Sequence, residues 1–438
     1  MWASSELLPK GHCLMIASSC PVSKMNGLLQ KNNGRRMVIG GCVECLICTT
    51  KFILRVGVGL ENACTHTFDC PHCFSALTVV AKADVPLSTH IEFTENCRAI
   101  DGERVGPVVN LHPSIAFSAD EYHDQLTFPS IVLTKLTRPY MRAPAESRLK
   151  DVATQFELPY TKELWSVVAN IIRMNLRGNA HDVLNGQIAK YVEMRRKFLP
   201  DFTCTTVFKC VASFFDDGFY PAIGNLRQPL RKLIQELRKN HPIQMATFET
   251  YYRSDLESEN LERYIALFQD YFANFDQFRQ LLAFTRVGSD DVDELIVGSK
   301  NFNDIKMFYG QAYETLTSSF VTLACLNNIK NGRRFDEFEH MTLNKYIKDV
   351  EKAKKSNPFS GDPVLFAFAS SEDSALRNGS HHASIFRYGE LVKYRSGGTG
   401  AQREIAYSRY IHMCNQIAIT NAALMLVELQ EFSTFIHR

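Results

Sequence analysis

Two pairs of cysteines, each with two residues between its members, constrain the N-terminal part of this chain more than any other feature. The pairs are Cys45 with Cys48 and Cys70 with Cys73, and 21 residues separate them. Each C-x2-C turn can direct two thiolates at one ion, so the spacing predicts a tetrahedral four-thiolate zinc site. Such an ion replaces the hydrophobic core that a segment of about 40 residues is too short to build. We therefore predict structural zinc, with no open coordination position for catalysis.

The sequence around the second pair, FDCPHCFSALTV, resembles the second knuckle of zinc-ribbon domains, and the strand-like TKFILRV follows the first pair. We predict two small hairpins between residues 37 and 80. The ligand set stays open at this stage, because Cys42 and Cys45 also have knuckle spacing and Cys64 lies nearby. Eight of the 13 cysteines precede residue 75, a clustering typical of a metal site in a reducing cytoplasm rather than of a disulfide framework.

Length and charge limit the function classes. A chain of 438 residues is too long for one compact core, so two or three domains are expected. Because 49 Lys and Arg balance 47 Asp and Glu, a nucleic-acid partner requires a local basic patch rather than a global field. The longest apolar runs fall short of the roughly 20 residues of a membrane span. We predict a cytoplasmic protein without a membrane partner.

Hydrophobic periodicity divides the rest of the chain and predicts a mainly α fold. Apolar residues recur every three or four positions from Leu261 to Leu282, as in helices that face a core. Between 81 and 150, strand-like pieces such as SIVLTKL alternate with Pro, Gly and Asp. The predicted domains are a flexible leader (1–36), a zinc ribbon (37–80), a strand-containing connector (81–150), a helical domain (151–300) and a C-terminal domain (301–438).

The C-terminal domain is predicted as a four-helix bundle with an inserted hairpin. The first three helices correspond to DIKMFYGQAYETLTSSFVTLACLNNI, LNKYIKDVEKAKK and PVLFAFASSEDSALRNG. RYGELVKYRSGGTGAQREIAY follows, and its glycine-rich turn between two alternating runs indicates a hairpin. The last helix is expected from about Ser408 to Phe432.

The end of the third predicted helix carries an arginine followed by an asparagine and two histidines. The motif runs Arg377-Asn378-Gly379-Ser380-His381-His382. Its spacing and context resemble those of the HEPN superfamily of helical ribonuclease domains, whose signature is R-x4-6-H with a polar residue after the arginine. The resemblance implies that Arg377, Asn378 and His382 are catalytic and that the protein is a homodimer through the C-terminal bundle.

The chemistry of these residue types fits metal-independent RNA cleavage. A histidine near neutral pKa can take the proton of a ribose 2′-OH, and an arginine can hold the scissile phosphate as charge builds. By resemblance, the products carry a 2′,3′-cyclic phosphate, and catalysis uses no cofactor. Glu372 or Asp373 can position Arg377, and His381 is an alternative base. A looser match of the motif, Arg334 with His340, lies outside the family's order of elements.

We therefore predict an endoribonuclease acting on tRNA or mRNA. Proteins of this kind resemble toxins and abortive-infection effectors of anti-phage defence, which are silent until a phage-derived signal or the loss of an antitoxin releases them. Two other readings stay open. The chain can be a non-catalytic module in which ribbon and bundle bind nucleic acid or protein, or a zinc-ribbon regulator acting on DNA.

Overall fold

The N-terminal part of the protein is rich in strands and the remainder is mainly helical, as the sequence predicts. The computed structural model describes residues 38–59, 61, 63–84, 88–101, 105–141, 156–178, 181–382, 384–397 and 400–433. The predicted leader, residues 1–36, lies outside the described residues.

Two antiparallel hairpins organise the N-terminal region and confirm the prediction of paired hairpins. The first sheet has the order β6-β1-β2-β7, with β1 (Val38–Cys45), β2 (Lys51–Gly57), β6 (Cys97–Ile100) and β7 (Val108–Leu111). The second has the order β3-β4-β5, with β3 (Ala63–Asp69), β4 (Ala76–Asp84) and β5 (Ser88–Glu95). Strands β5 and β6 thus extend both sheets beyond residue 80.

Alternating apolar residues hold the two sheets together. Phe52 of β2 and Phe68 of β3 are fully buried and meet edge to face, with ring centroids 6.1 Å apart. Asn96, between β5 and β6, adopts a left-handed conformation (φ 56°), which asparagine tolerates better than most residues. Its carbonyl accepts from Leu46 N at 2.8 Å and its side chain donates to the Ala76 carbonyl at 2.9 Å. This residue therefore ties one sheet to the other.

The segment SIVLTKL is helical, so its interpretation as a strand is wrong. It belongs to α2 (Pro129–Thr137), which follows β8 (Phe117–Ser118) and α1 (Ala119–His123). Pro129 occupies the first turn, where its fixed φ suits a helix start, and Leu133 and Thr137 are buried four residues apart. Four apolar residues within seven positions do not distinguish a strand from a helix.

Helices fill the region from residue 161 to 287, as predicted. They are α3 (Thr161–Leu176), α4 (His181–Arg196), α5 (Val207–Phe219), α6 (Ala222–Asn240), α7 (Pro242–Tyr251), α8 (Glu257–Ala273) and α9 (Phe275–Val287), with a π-helical turn at Tyr252–Leu256. The stripe from Leu261 to Leu282 is buried and is shared by α8 and α9, which meet at Asn274.

The C-terminal region combines two long helices with short ones and a small sheet. Its elements are β9 (Leu295–Ile296), α10 (Phe302–Ile305), α11 (Phe308–Lys330), α12 (Leu343–Asp349), α13 (Pro363–Phe366), α14 (Ser374–His381), β10 (Ile385–Tyr388), β11 (Leu391–Arg395), β12 (Gln402–Ala406) and α15 (Tyr407–Glu431). Short 3-10 turns lie at Arg138–Tyr140, Lys352–Lys354, Asn357–Phe359 and Ala367–Ala369.

The long helices α11 and α15 agree with the first and last predicted helices, whereas the two between them are shorter. The second ends at Asp349. The third is interrupted because the Asp373 carboxylate accepts from the amides of Ala375 and Leu376 and so begins a new helix. The predicted hairpin is confirmed as β11–β12 and gains a third strand, β10, through a tight turn at Gly389 (φ 57°).

Helix α15 lies at the centre of the helical region. It packs against α6, α8, α9 and α11, and its residues from Ile417 to Leu429 are buried. Among the helices in the described part of the chain, none combines the length and apolarity needed to cross a membrane.

One acidic side chain, Glu428 of α15, is fully buried in this core. The hydroxyls of Tyr264 (3.1 Å) and Tyr252 (3.4 Å) and the amide of Asn260 (3.4 Å) donate to it, and Thr322 is a further partner. Burial raises the pKa of Glu428 to about 7, because these donors only partly replace the lost hydration.

We expect Glu428 to make the protein less stable as pH rises from about 4.5 to about 7. The folded state retains the Glu428 proton in this window, whereas the unfolded chain releases it. In Glu428→Gln, whose amide mimics the protonated acid, this part of the pH dependence should disappear. Chemical denaturation between pH 4.5 and 7.5 measures it, with Glu262→Gln, an exposed glutamate of α8, as the control. A wild-type slope in Glu428→Gln would contradict the assignment.

Candidate active site and metal centre

The four cysteines of the two C-x2-C pairs converge at the ends of the hairpins. Cys45 ends β1 and Cys70 follows β3, while Cys48 and Cys73 lie in the turns. The Sγ atoms of Cys45 and Cys73 are 3.9 Å apart, those of Cys48 and Cys70 are 3.7 Å apart, and all four lie within 4.8 Å of one another. Four thiolates at about 2.3 Å from one tetrahedral ion would be roughly 3.8 Å apart. The donor set and spacing therefore fit zinc.

The two turns have the same backbone design. The residue after each second cysteine, Thr49 or Phe74, has a positive φ of 58° or 60°. This conformation brings the hydroxyls of Thr50 and Ser75 to 3.3 Å from the Sγ atoms of the second cysteines. Hydrogen bonds from Thr50 lower the pKa of Cys48 to about 5, which favours the thiolate that a metal requires. Burial raises the pKa of Cys70 to about 12.

The alternative ligands lie apart from this cluster. Cys42 is within β1, where it pairs with Ile53 and Ile100, and Cys64 is buried in β3. Burial raises the pKa of Cys64 to about 12, as expected of a thiol that packs in a core. The structure thus selects the predicted set of Cys45, Cys48, Cys70 and Cys73.

Arg377 projects from α14 towards α11. Its Nε donates to Glu314 Oε1 at 2.7 Å, a second nitrogen also bonds to that oxygen, and its remaining terminal nitrogen donates to Asn378 Oδ1 at 2.8 Å. Lys352 lies 3.8 Å from the other oxygen of Glu314. The Arg377 side chain is 27% exposed, so the guanidinium is fixed and still open to solvent on one side.

The two histidines of the motif face different surroundings. His381 is four residues after Arg377, on the same side of α14, and packs on Gly310 of α11: a Cβ at Gly310 would lie 3.1 Å from His381 Nε2. Gly310 and Glu314 are also one turn apart, so α11 receives His381 and Arg377 side by side. His382 caps α14 and lines a groove beside the small sheet. Both imidazoles are exposed.

The two carboxylates predicted to support Arg377 have other roles. Asp373 caps α14 through two amide hydrogen bonds of 2.9 Å. Glu372 is partly buried, which raises its pKa to about 7, against the effect of the Ser356 and Tyr313 hydroxyls. Its Oε1 has no hydrogen-bond partner among the described residues.

Sequence inspection missed Glu314, which makes the contact that Glu372 or Asp373 was expected to make. Glu314 is 63 residues from Arg377, and no local pattern marks it.

The looser motif match is separate from this site. Arg334 forms an exposed ion pair with Asp336, and His340 is exposed in the loop before α12.

We expect Arg377→Ala to fold and to lose roughly 1 kcal/mol of unfolding free energy, because both partners of the Glu314 pair are partly solvated. Urea denaturation measures this loss. Arg334→Ala, which removes a more exposed ion pair, is the matched control and should stay within about 0.5 kcal/mol of wild type. A loss of 3 kcal/mol or more would indicate that Arg377 serves mainly to hold the fold.

No protein-family model, curated protein or solved structure matches this chain. The resemblance to HEPN ribonucleases therefore stays a prediction that rests on the motif of α14 and its surroundings.

Proposed function

We propose that this protein is a metal-independent endoribonuclease of the HEPN type, with its active site at the C-terminal end of α14. One observation carries the proposal: Glu314 and Asn378 hold the Arg377 guanidinium, and the exposed His381, one helical turn after Arg377, packs on the same helix α11 as Glu314. A fixed cation next to a titratable base is the minimum that cleavage of RNA by its own 2′-OH requires.

In the proposed reaction, the 2′-oxygen attacks the adjacent phosphorus, a new O–P bond forms and the bond to the 5′-oxygen breaks. The base removes the 2′-OH proton, and the leaving 5′-oxygen takes up a proton. Arg377 binds the phosphate oxygens as negative charge builds on them. We assign the base to His381, which shares a helix face with Arg377. His382, the candidate of the sequence motif, faces the groove, where it can protonate the leaving oxygen.

We expect purified protein to cut single-stranded RNA in EDTA and to leave 2′,3′-cyclic phosphate ends. Arg377→Ala and His381→Ala should each lower the cleavage rate by about 10²- to 10⁴-fold. The cleavage rate of His382→Ala tests whether His382 protonates the leaving oxygen. An oligonucleotide with 2′-deoxyribose at the cut site should stay intact. Gel analysis of fragments and of their ends measures all of these.

Arg334→Ala and His340→Ala, at the looser motif match, are the matched controls and should cut as wild type. If only His382→Ala is inactive, the base is His382, as the sequence motif suggests. If no variant changes cleavage, a contaminant is responsible. A non-catalytic binding module is supported instead if the soluble protein never cuts RNA and if expression of wild type and of Arg377→Ala both leave growth unaffected.

The proposed biological role is that of a toxin or abortive-infection effector, with tRNA or mRNA as substrate. The resemblance also implies a homodimer. Because this chain's own helices enclose α15, a second copy would have to meet other elements of the C-terminal region. Light scattering tests whether the wild type is a dimer and whether Arg377→Ala has the same oligomeric state.

We further propose that the cluster of Cys45, Cys48, Cys70 and Cys73 holds structural zinc. The four thiolates would complete the tetrahedral shell, so the ion would stabilise the two hairpins without entering the reaction.

We expect about one zinc per chain in protein purified without added metal. Cys70→Ser should lose this metal and melt at a lower temperature, because a ligand to the ion is lost. Metal analysis and thermal denaturation measure both effects, and Cys42→Ser is the matched control that should keep its zinc. Zinc loss in Cys42→Ser with retention in Cys70→Ser would show that the ligand set is wrong. Zinc content is also checked after the EDTA assay, so that loss of the ribbon is not mistaken for loss of catalysis.

A further inference from the structure

The small sheet next to α14 presents one face to solvent. In the antiparallel register, Phe386 lies opposite Lys393, and Lys393 lies opposite Glu404. Tyr388 and Arg395 have the same parity in their strands and therefore share this face. On the opposite face, Ile385, Val392 and Tyr394 are buried. The sheet thus has an inner face that packs on the protein and an outer face that does not.

The outer face combines exposed aromatic rings with cations. Phe386 is 55% exposed and Tyr388 is 62% exposed, although large aromatic residues are usually buried. The Lys393 ammonium lies 5.6 Å from the centre of the Tyr388 ring, and Arg395 is exposed on the same strand. Glu404, 3.7 Å from Lys393, is the acidic side chain on this face of the described sheet. Rings beside cations are the usual surface for stacking bases and binding phosphates.

This face is continuous with the proposed active site. His382 lines the same open groove of about 580 Å³ as Phe386, Tyr388, Lys393 and Arg395. Helix α14 is fixed on β11, because Gly379 approaches Tyr394 so closely that a Cβ would lie 3.0 Å from the Tyr394 Cβ. A strand of RNA on the sheet would therefore reach the end of α14 in a defined position.

We propose that the outer face of β10–β12 binds single-stranded RNA, with Phe386 and Tyr388 stacking on bases and Lys393 and Arg395 binding the backbone. The assignment deepens the proposed ribonuclease function by giving its substrate a docking surface. Single strands fit this surface because their bases are free to stack on the rings, whereas those of a duplex are already stacked on one another.

Binding is measured with a fluorescent, fully 2′-O-methylated RNA of about 12 nucleotides, which cannot be cleaved. Phe386→Ala and Tyr388→Ala should each weaken binding about 5- to 100-fold. Lys393→Gln and Arg395→Gln should each reduce the slope of log binding constant against log salt concentration by about 0.7 in magnitude. Phe128→Ala is the matched control, since Phe128 is also 55% exposed but lies before α2.

The proposed binding by the outer face is supported if the wild type binds and if the ring substitutions, but not Phe128→Ala, weaken that binding. This holds even if no form of the protein cuts RNA. In that case the ribonuclease proposal fails and the binding site stands. Three results would each overturn RNA binding by the outer face of β10–β12, whatever the cleavage assay shows. They are wild-type affinity in both ring variants, equal affinity for a duplex of the same sequence, and no binding by the wild type.

Discussion

The enclosure of helix α15 is the constraint on which the helical part of this protein depends. Almost every residue from Tyr407 to Leu429 is buried, so the helix needs apolar neighbours on all sides. Helices α6, α8 and α9 supply some of them and α11 supplies others. One continuous core therefore joins residues 222–287 to the C-terminal region, and α11, which receives Arg377, is held within it.

A buried helix of this kind also determines where polar chemistry can lie. Glu428 is tolerated because tyrosine and asparagine side chains donate hydrogen bonds to it, while burial raises its pKa to about 7. The candidate site lies instead at the outer side of α11, where Glu314 and Arg377 are partly solvated. This placement combines a rigid support with access for a polymeric substrate, as the proposed RNA cleavage requires.

The cysteine cluster and the candidate site are physically connected. Asp69, directly before Cys70, bonds to Arg387 of β10 at 3.1 and 3.2 Å and lies 3.4 Å from Lys300. Lys300 in turn contacts Glu390, in the turn between β10 and β11. The end of the second hairpin therefore supports the small sheet whose outer face we propose to bind RNA.

Local patterns in the sequence were sufficient for the cysteine pairs, the hairpins around them, the helical region and the long last helix, because each depends on spacing within a few residues. The same information failed at SIVLTKL, where a short segment with four apolar residues fits either a strand or a helix. It also failed at Asp373, whose side chain caps a new helix where the periodicity predicts a continuous one. Only packing brought Glu314 to Arg377 and seated His381 against Gly310 of α11. Contacts between residues far apart in the chain leave no periodic trace, because they depend on how whole elements pack.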